Sequence, residues 1–534
     1  MRKNGIEFLV VLLLMMVLGG PSPAAERGGT LVMGMRGDMD TLCPLTTGVD
    51  PTQLSLSFMY LADYNEDYKL RPNYGPQLAE RWEWNEPHTM LTVRLKDDVR
   101  WHDGEPVTAH DVKYTYEAAL DPATGYQGVS QMYAIKKREK GRPGDMHEIE
   151  VIDDLTVSIA IEKPYATAEH DLLRNLMICP AHILSRVPNA DLREHPFGRR
   201  PVGNGPFKLQ EWEKNSTTVY TRNDDFFIDG YPKLDKVVMK VIPESSAQFA
   251  AFAAGELNFI GVATTTRDLL EDFPRARIYR YPGRAYYFIA WNTQREIFGD
   301  VRMRRAMAYA LDKEAITSGA VPGIGEVCAS PVLSYHPLFD PAREPYPFIP
   351  GEAMRLLDEC GWEMSGEYRY SGGKRLEFKL LSTSTGEVYP RLVEIVQQQL
   401  KEVGVFLDIE QVEYMSMLDK AEDRDYDALT LGGVMGMTVD FSDYKCEGAL
   451  RNDSYNWPQY CNPEADRLID LIKYELDPEA RRQHLGDWLD LMEADQPFTY
   501  LYTIRGEFAV KSNVKDIRAD ANGFYPHIWR WRVE

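Results

Sequence analysis

The residue groupings best suited to chemistry are few, and each has a structural explanation beside it. Trp101-His102-Asp103-Gly104 sets a histidine beside a carboxylate, the pairing a nucleophilic triad needs. Sequence neighbours point to different places, however, and Asp-Gly is a turn signal, so this segment reads as structural. Gly372-Gly373-Lys374 has the look of a phosphate-loop fragment. It lacks the first glycine at the required spacing and the Ser or Thr that would follow the lysine. The sequence contains no H-E-x-x-H, G-x-S-x-G or G-x-G-x-x-G. Its ten histidines include no i, i+4 pair on a helix, so no multi-histidine metal site is expected. The sequence therefore assigns no catalytic residue, no cofactor and no metal.

Groups suited to holding a ligand are more evident. Gly432-Gly433-Val434-Met435-Gly436-Met437 follows an apolar stretch, and such a soft, glycine-rich loop lets backbone approach a ligand closely. Asp440, Asp443, Tyr455 and Trp457 follow it with carboxylates and aromatic faces. Spacing alone leaves two readings open, a ligand-lining loop or a structural one. Arg391 stands at the start of a helix that follows a strand. There its guanidinium and the helix N-terminus could share an anion, although a solvated surface arginine explains the same position. Cys446 and Cys461 bracket a polar loop with Asn452, Asp453, Ser454 and Asn456. An oxidising compartment favours a bridge between them over two unrelated thiols, worth roughly 3 kcal/mol in the chain-entropy model. None of the six cysteines forms a C-x-x-C pair, which excludes zinc-ribbon and thioredoxin-like readings.

Alternating strands and helices must position these groups. The pattern predicts strands at 30–35 and 90–95, and a helix after Thr108 with Asp111 completing a capping-box variant. A hairpin is expected over 149–159, turning at Asp153-Asp154, and three strands within 201–243. A helix over 245–255 ends at Gly255 and is followed by a strand at 257–262. Residues 286–291 form one long apolar strand. Helices follow at 301–311, 351–360 and 389–403, with strands at 376–381 and 405–411. Strands at 498–502 and 507–510 lack a helical partner and are expected to complete the first domain. This order is α/β in character.

The 534 residues predict two to four domains. A hydrophobic share of 44% and a charged share of 27% fit a globular chain. The formal net charge of -22 argues against a general phosphate-backbone binder, so no nucleic-acid partner is expected. At the start, Arg2 and Lys3 precede the apolar run Phe8 to Leu18, and Ser22-Pro23-Ala24 follows a Gly-Gly-Pro break. This is the pattern of a secretory signal peptide over residues 1–24, too short for a membrane anchor. No cysteine follows the run, so an exported protein that is not a lipoprotein is expected.

Leu78-Ala79-Glu80-Arg81-Trp82, Leu91-Thr92-Val93-Arg94-Leu95 and the stretch from Val99 to Val112 (VRWHDGEPVTAHDV) closely resemble the signature of extracellular solute-binding proteins of the peptide/nickel type, family 5. Pro201-Val202-Gly203-Asn204-Gly205-Pro206-Phe207 matches that family's glycine-proline element, with Asn204 where Thr is usual. Pro232 to Val237, Trp291-Asn292-Thr293 and Val301 to Asp312 fit as well. The resemblance implies a two-lobed periplasmic-binding-protein fold of the class II, cluster C type with a ligand cleft between the lobes. It divides the chain into a first lobe (25–65, 195–285 and 498–534), an extra subdomain of that lobe (66–194) and a second lobe (286–497). It further implies a monomeric periplasmic or extracellular receptor that hands a short peptide or similar polar solute to the permease of an ABC importer. An oligosaccharide, a metal chelate or an opine-like compound is the alternative ligand on the same fold, and a secreted hydrolase is the remote alternative. By this resemblance Cys446 and Cys461 form a disulfide, and Arg391 falls near an arginine that holds a peptide carboxylate. The aspartate that grips the peptide ammonium sits in a Trp-containing loop ending in Asp-Pro. Here that loop has neither the Trp nor the Pro, leaving Asp440 and then Asp443 as candidates. The ligand-binding set expected on these grounds is Met39, Thr41, Asn292, Arg391, Gly433, Met435, Asp440, Asp443, Tyr455 and Trp457.

Overall fold

Strand and helix alternate to build two mixed sheets, each covered by helices. The computed structural model describes residues 28–534 apart from 48–50, 66, 73–74, 129–133, 137–146, 387 and 453; the signal segment expected over 1–24 lies outside the described residues. One sheet has seven strands in the order Ala276–Tyr281, Gly506–Lys511, Phe259–Gly261, Thr30–Met35, Lys236–Val241, Thr217–Arg222 and Phe207–Glu213. Thr30–Met35 runs parallel to both its neighbours, and Leu31 and Met33 are fully buried, as a strand covered on both faces requires. The second sheet has six strands in the order Gly325–Val327, Phe498–Ile504, Ala285–Trp291, Ala428–Val434, Glu377–Thr383 and Phe406–Val412. Helices Val301–Tyr309 and Val388–Glu402 bury Met303, Met307, Leu392 and Val396 in one core with this sheet. Asp300 caps the first of these helices by accepting from the Arg302 N–H at 2.8 Å.

A separate four-stranded antiparallel sheet, in the order Ala79–Trp84, Met90–Leu95, Thr156–Ala160 and Ile149–Asp153, packs against helix Ala109–Leu120. The expected box at the start of that helix is present: the Thr108 N–H donates to Asp111 Oδ2 at 2.8 Å. The Asp111 carboxylate also accepts from the Ala181 N–H at 2.7 Å, tying the helix to the segment after it. The core of this layer takes in Met39, Leu42, Cys43 and Phe58 from the N-terminal segment. Cys43, Cys179 and Cys328 are buried, and Cys360 is half-buried.

The expectation that the chain returns to the first lobe at residue 498 is corrected by the sheet order. Phe498–Ile504 pairs antiparallel with Ala285–Trp291 inside the six-stranded sheet, and the return begins with Gly506–Lys511. The strand has no helical partner next to it in sequence because it is central, with strands on both sides and six of its seven residues buried.

The Trp-His-Asp-Gly segment has a structural role. His102 Nδ1 accepts from the Gly203 N–H at 3.2 Å, and its other ring nitrogen lies 3.0 Å from the Gly205 carbonyl, to which it donates. Gly203 and Gly205 lie against Ser57, whose backbone a Cβ at either position would overlap. The histidine thus clips the four-stranded layer to the seven-stranded sheet. Burial holds it neutral, with its pKa lowered to about 4.

The chain crosses between the two large sheets at residues 282–284 and again at 505. The crossings touch: a Cβ on Gly283 would overlap the Ile504 carbonyl oxygen, so only glycine lets the two segments lie side by side. Replacing Gly283 by Ala should therefore lower the thermal unfolding midpoint by several degrees relative to an exposed control, Gly351→Ala. The His102 clip predicts a pH effect. Its folded pKa lies below the ordinary 6.5, so the unfolded chain takes up the proton first as pH falls. Stability should decline from about pH 6.5 towards pH 4 through this group. Urea midpoints at pH 7 and pH 5 should then differ less in His102→Gln than in the wild type.

Candidate functional site

Both sheets present the same kind of edge to the crossings. Thr30–Met35, Lys236–Val241 and Phe259–Gly261 end there in the first sheet; Glu377–Thr383 and Ala428–Val434 end there in the second. In open α/β sheets ligands bind outside the carboxyl ends of parallel strands, so two such edges facing each other across a hinge define a candidate cleft.

On the second-lobe edge, Gly433 pairs with Tyr286, and a Cβ on it would run into the Tyr286 ring. Met435 is buried, its N–H donating to the Arg284 carbonyl at 2.8 Å. The Tyr335 hydroxyl donates to the Met435 carbonyl at 2.7 Å and holds the glycine-rich loop down. Arg391 is exposed in the first turn of helix Val388–Glu402, which begins beyond the end of Glu377–Thr383 at this edge. An aromatic wall that the sequence reading missed stands beside it. Tyr287 stacks on Tyr502 with ring centroids 4.9 Å apart and meets Tyr389 at 5.8 Å. The signal was the apolar strand from Tyr286 itself, whose alternate residues pack on two sides of the sheet, Tyr286 and Phe288 on one and Tyr287 and Ile289 on the other.

The carboxylate expected for a ligand ammonium is already engaged. Asp440 Oδ2 lies 3.1 Å from Lys473 Nζ, and Asp440 Oδ1 accepts from the Ser442 N–H at 2.9 Å. Burial works against its charge, but Ser442 and Lys473 outweigh burial and hold the carboxyl below the usual carboxylate range. Asp443 is exposed, with its carbonyl accepting from the Ser454 hydroxyl at 3.2 Å. Tyr455 is exposed and Trp457 buried, with the Arg424 guanidinium 5.3 Å above the Trp457 ring. Tyr455 and Trp457 belong to the loop that the Cys446–Cys461 disulfide closes.

Three other expected residues have structural partners that account for them. Asn292 is buried, its Nδ2 donating to the Tyr426 carbonyl at 3.1 Å and its Oδ1 accepting from the Gln294 N–H at 3.1 Å. Met39 lies in the apolar core of the first lobe, and Thr41 is buried next to it with its hydroxyl accepting from the Cys43 N–H at 3.3 Å.

From the opposite side, the segment Tyr60 to Tyr68 and helix Ala168–Leu173 reach the second lobe. Tyr64 packs into that lobe's core, hydrogen-bonds to His170 Nδ1 and stacks on the His170 ring. Tyr68 meets Tyr335 edge-on at 5.8 Å. Arg174 pairs with Asp63 at 2.9 Å and lies 3.7 Å over the Tyr60 ring. The Ala166 N–H donates to the Lys473 carbonyl at 2.8 Å, a direct backbone bond from one lobe to the other. Burial raises the Asp171 carboxyl to about 7, with Asp440 across the gap adding to the effect.

Among the described residues no group of His, Cys, Asp and Glu could hold a metal ion, and no helix is long and apolar enough to cross a membrane. A small hollow of about 20 Å³ lies elsewhere in the second lobe, lined by Arg343, Tyr346, Met492, Glu493 and Tyr500. Arg343 is engaged there with Asp490 and Glu493.

Two lobes, two adjoining crossings and a cleft between strand ends define a two-lobed solute-binding protein. Residues 73–445 match the model of bacterial extracellular solute-binding proteins, family 5. The chain belongs to this family. It is 29% identical over 517 residues to the oligopeptide-binding protein AppA of Bacillus subtilis, covering 95% of this chain and 92% of that one. The solved structure of B. subtilis AppA in complex with a nonapeptide superposes with a TM-score of 0.75 at 27% identity, covering 95% of this chain and 99% of that one. The substrate-binding protein CtaP of Listeria monocytogenes shares the fold with a TM-score of 0.82 at 23% identity, covering 95% and 99% of the two chains. The structure of AgaA from A. tumefaciens with agropinic acid does so with a TM-score of 0.72 at 24% identity, covering 95% and 99%.

The disulfide carries a measurable consequence. Its two cysteines are 15 residues apart, so replacing both by Ser should cost about 3 kcal/mol of unfolding free energy. Urea unfolding of the oxidised wild type and the double variant checks this. Equal midpoints would mean that the loop's own hydrogen bonds suffice.

Proposed function

We propose that this protein captures a short peptide or similar small polar solute by closure of its two lobes and delivers it to the permease of an ABC importer. The observation that carries the reading is the cleft between paired strand ends at a two-strand hinge, on a chain whose relative AppA is an oligopeptide-binding protein. The ligand adds contacts in the closed state that the open state lacks, and this difference drives closure. No bond is made or broken. The part-exposed rings of Tyr287 and Tyr389 offer stacking faces, the glycine-rich loop offers backbone groups, and Arg391 offers a cation for a terminal carboxylate. Residues 1–24 are removed on export, and the mature protein works as a monomer in the periplasm or outside the cell without a lipid anchor.

A second reading follows from Asp440. A buried ammonium needs a carboxylate partner, and this carboxylate already serves Lys473. That favours ligands without a free α-ammonium, such as an opine-like acid, on the same fold.

Native mass spectrometry of the protein as purified, followed by gentle denaturation to release its cargo, separates the readings. A family of peptide masses supports the first and a single small-acid mass the second. Release of products cleaved by the protein itself would overturn both. Arg391→Ala should weaken binding of the released ligand about tenfold if the arginine holds its carboxylate; equal affinities by isothermal calorimetry would remove that role.

A further inference from the structure

Two cysteines that the solute-binding reading leaves unused face each other inside the first lobe. Cys43 lies in the N-terminal segment after strand Thr30–Met35, and Cys179 between helices Ala168–Leu173 and Ala181–Leu184 of the added layer. Both belong to one apolar core, with 1% and 0% of their surface exposed. The Cys179 thiol donates a hydrogen bond to the Cys43 sulfur, and the Leu45 N–H reaches both sulfurs. The backbone at each cysteine is held as well. The Cys43 N–H donates to Thr41 Oγ1 at 3.3 Å, and the Thr46 N–H donates to the Cys43 carbonyl at 3.1 Å. The Cys179 N–H donates to Thr115 Oγ1 at 2.9 Å, and that hydroxyl donates to the Asp111 carbonyl at 2.6 Å within helix Ala109–Leu120. The two sulfurs are thus fixed against each other from two separate parts of the chain.

A single buried thiol behaves as a small apolar side chain. A facing pair differs, because a covalent bond is open to it once the sulfurs lose two electrons. Cys43 is the better nucleophile of the two. The hydrogen bond from Cys179 outweighs burial and lowers the Cys43 pKa, whereas burial first and then Cys43 itself raise that of Cys179. The other cysteines are placed differently. Cys446 and Cys461 are already bridged. Cys328 sits in a core of the second lobe, and the Cys360 sulfur lies 3.8 Å from Asp300 Oδ2.

We infer that Cys43 and Cys179 form a second disulfide in the exported protein, fastening the N-terminal segment of the first lobe to its added layer. This rests on the reading of the chain as an exported one, since disulfides form and persist in oxidising compartments. The oxidant is a disulfide donor of the thiol-exchange class. The Cys43 thiolate attacks one donor sulfur and expels the other as a thiolate. Cys179 then loses its proton, attacks Cys43 Sγ of the mixed disulfide and expels the second donor thiolate. The pair gives up two electrons and two protons, and the donor takes them up to end as two thiols. Both sulfurs are buried, so the exchange takes place while the layer is still closing over them. Of the six cysteines, only Cys328 and Cys360 then remain thiols.

The test uses the full chain, expressed with its own leader and taken from the whole culture directly into guanidinium chloride with excess N-ethylmaleimide. Intact-mass spectrometry then counts the alkylated thiols. Two are expected. An unreduced digest should show one peptide pair joining Cys43 to Cys179, beside the pair joining Cys446 to Cys461. Cys43→Ser should raise the count from two to three, because it leaves Cys179 without its partner. If that variant does not accumulate, the wild-type count and peptide map decide alone. Four alkylated thiols that include Cys43 and Cys179, or a cross-link from either to a different cysteine, overturn the bond while the Cys446–Cys461 link keeps the export reading. A fall from four to three in Cys43→Ser does the same. Six alkylated thiols place the chain in a reducing compartment and overturn the export reading and this bond with it.

Discussion

The contact between the two crossing segments constrains everything else in the molecule. Gly283 lies against the Ile504 carbonyl, so the lobes are joined along one narrow seam. The strand ends of both sheets must converge on that seam, because the chain enters Ala285–Trp291 from it and leaves Phe498–Ile504 towards it. The placement of the glycine-rich loop, the start of helix Val388–Glu402 and the end of Thr30–Met35 around one gap follows from that single close approach. A larger side chain at this position would separate the crossings and loosen the register between the two edges.

The His102 clip shows how the added layer is made part of the first lobe. A neutral imidazole bridging two glycine backbone groups gives the Gly203 N–H its acceptor and shares the Gly205 carbonyl with Asn223 Nδ2. It also accounts for a residue whose sequence context suggested chemistry. Its value lies in having both ring nitrogens committed, one accepting and one donating. Burial lowers its proton affinity and outweighs the Gly205 hydrogen bond, which raises it.

Much of the fold was legible because the local signals agreed with one another. Turn residues, capping residues and apolar period placed the helices Val301–Tyr309, Pro350–Glu359 and Val388–Glu402 within a few residues of their observed ends. The strand Phe498–Ile504 was assigned to the wrong sheet because local pattern cannot say which distant strand will lie beside it. The contacts around the cleft were the least legible part of the chain. Trp457 lies under Arg424 and Asn292 donates to the Tyr426 carbonyl, contacts that no local pattern announces. Asp440 had the right charge, but its partner Lys473 lies 33 residues along the chain, beyond any local pattern.

The backbone bond from Ala166 to Lys473 has a consequence for timing. A ligand that leaves must wait for the lobes to part, and parting breaks this bond together with the Tyr64 packing. Such contacts set how long the cleft stays shut once filled, more than how fast it fills. A receptor built this way is tuned through residence time.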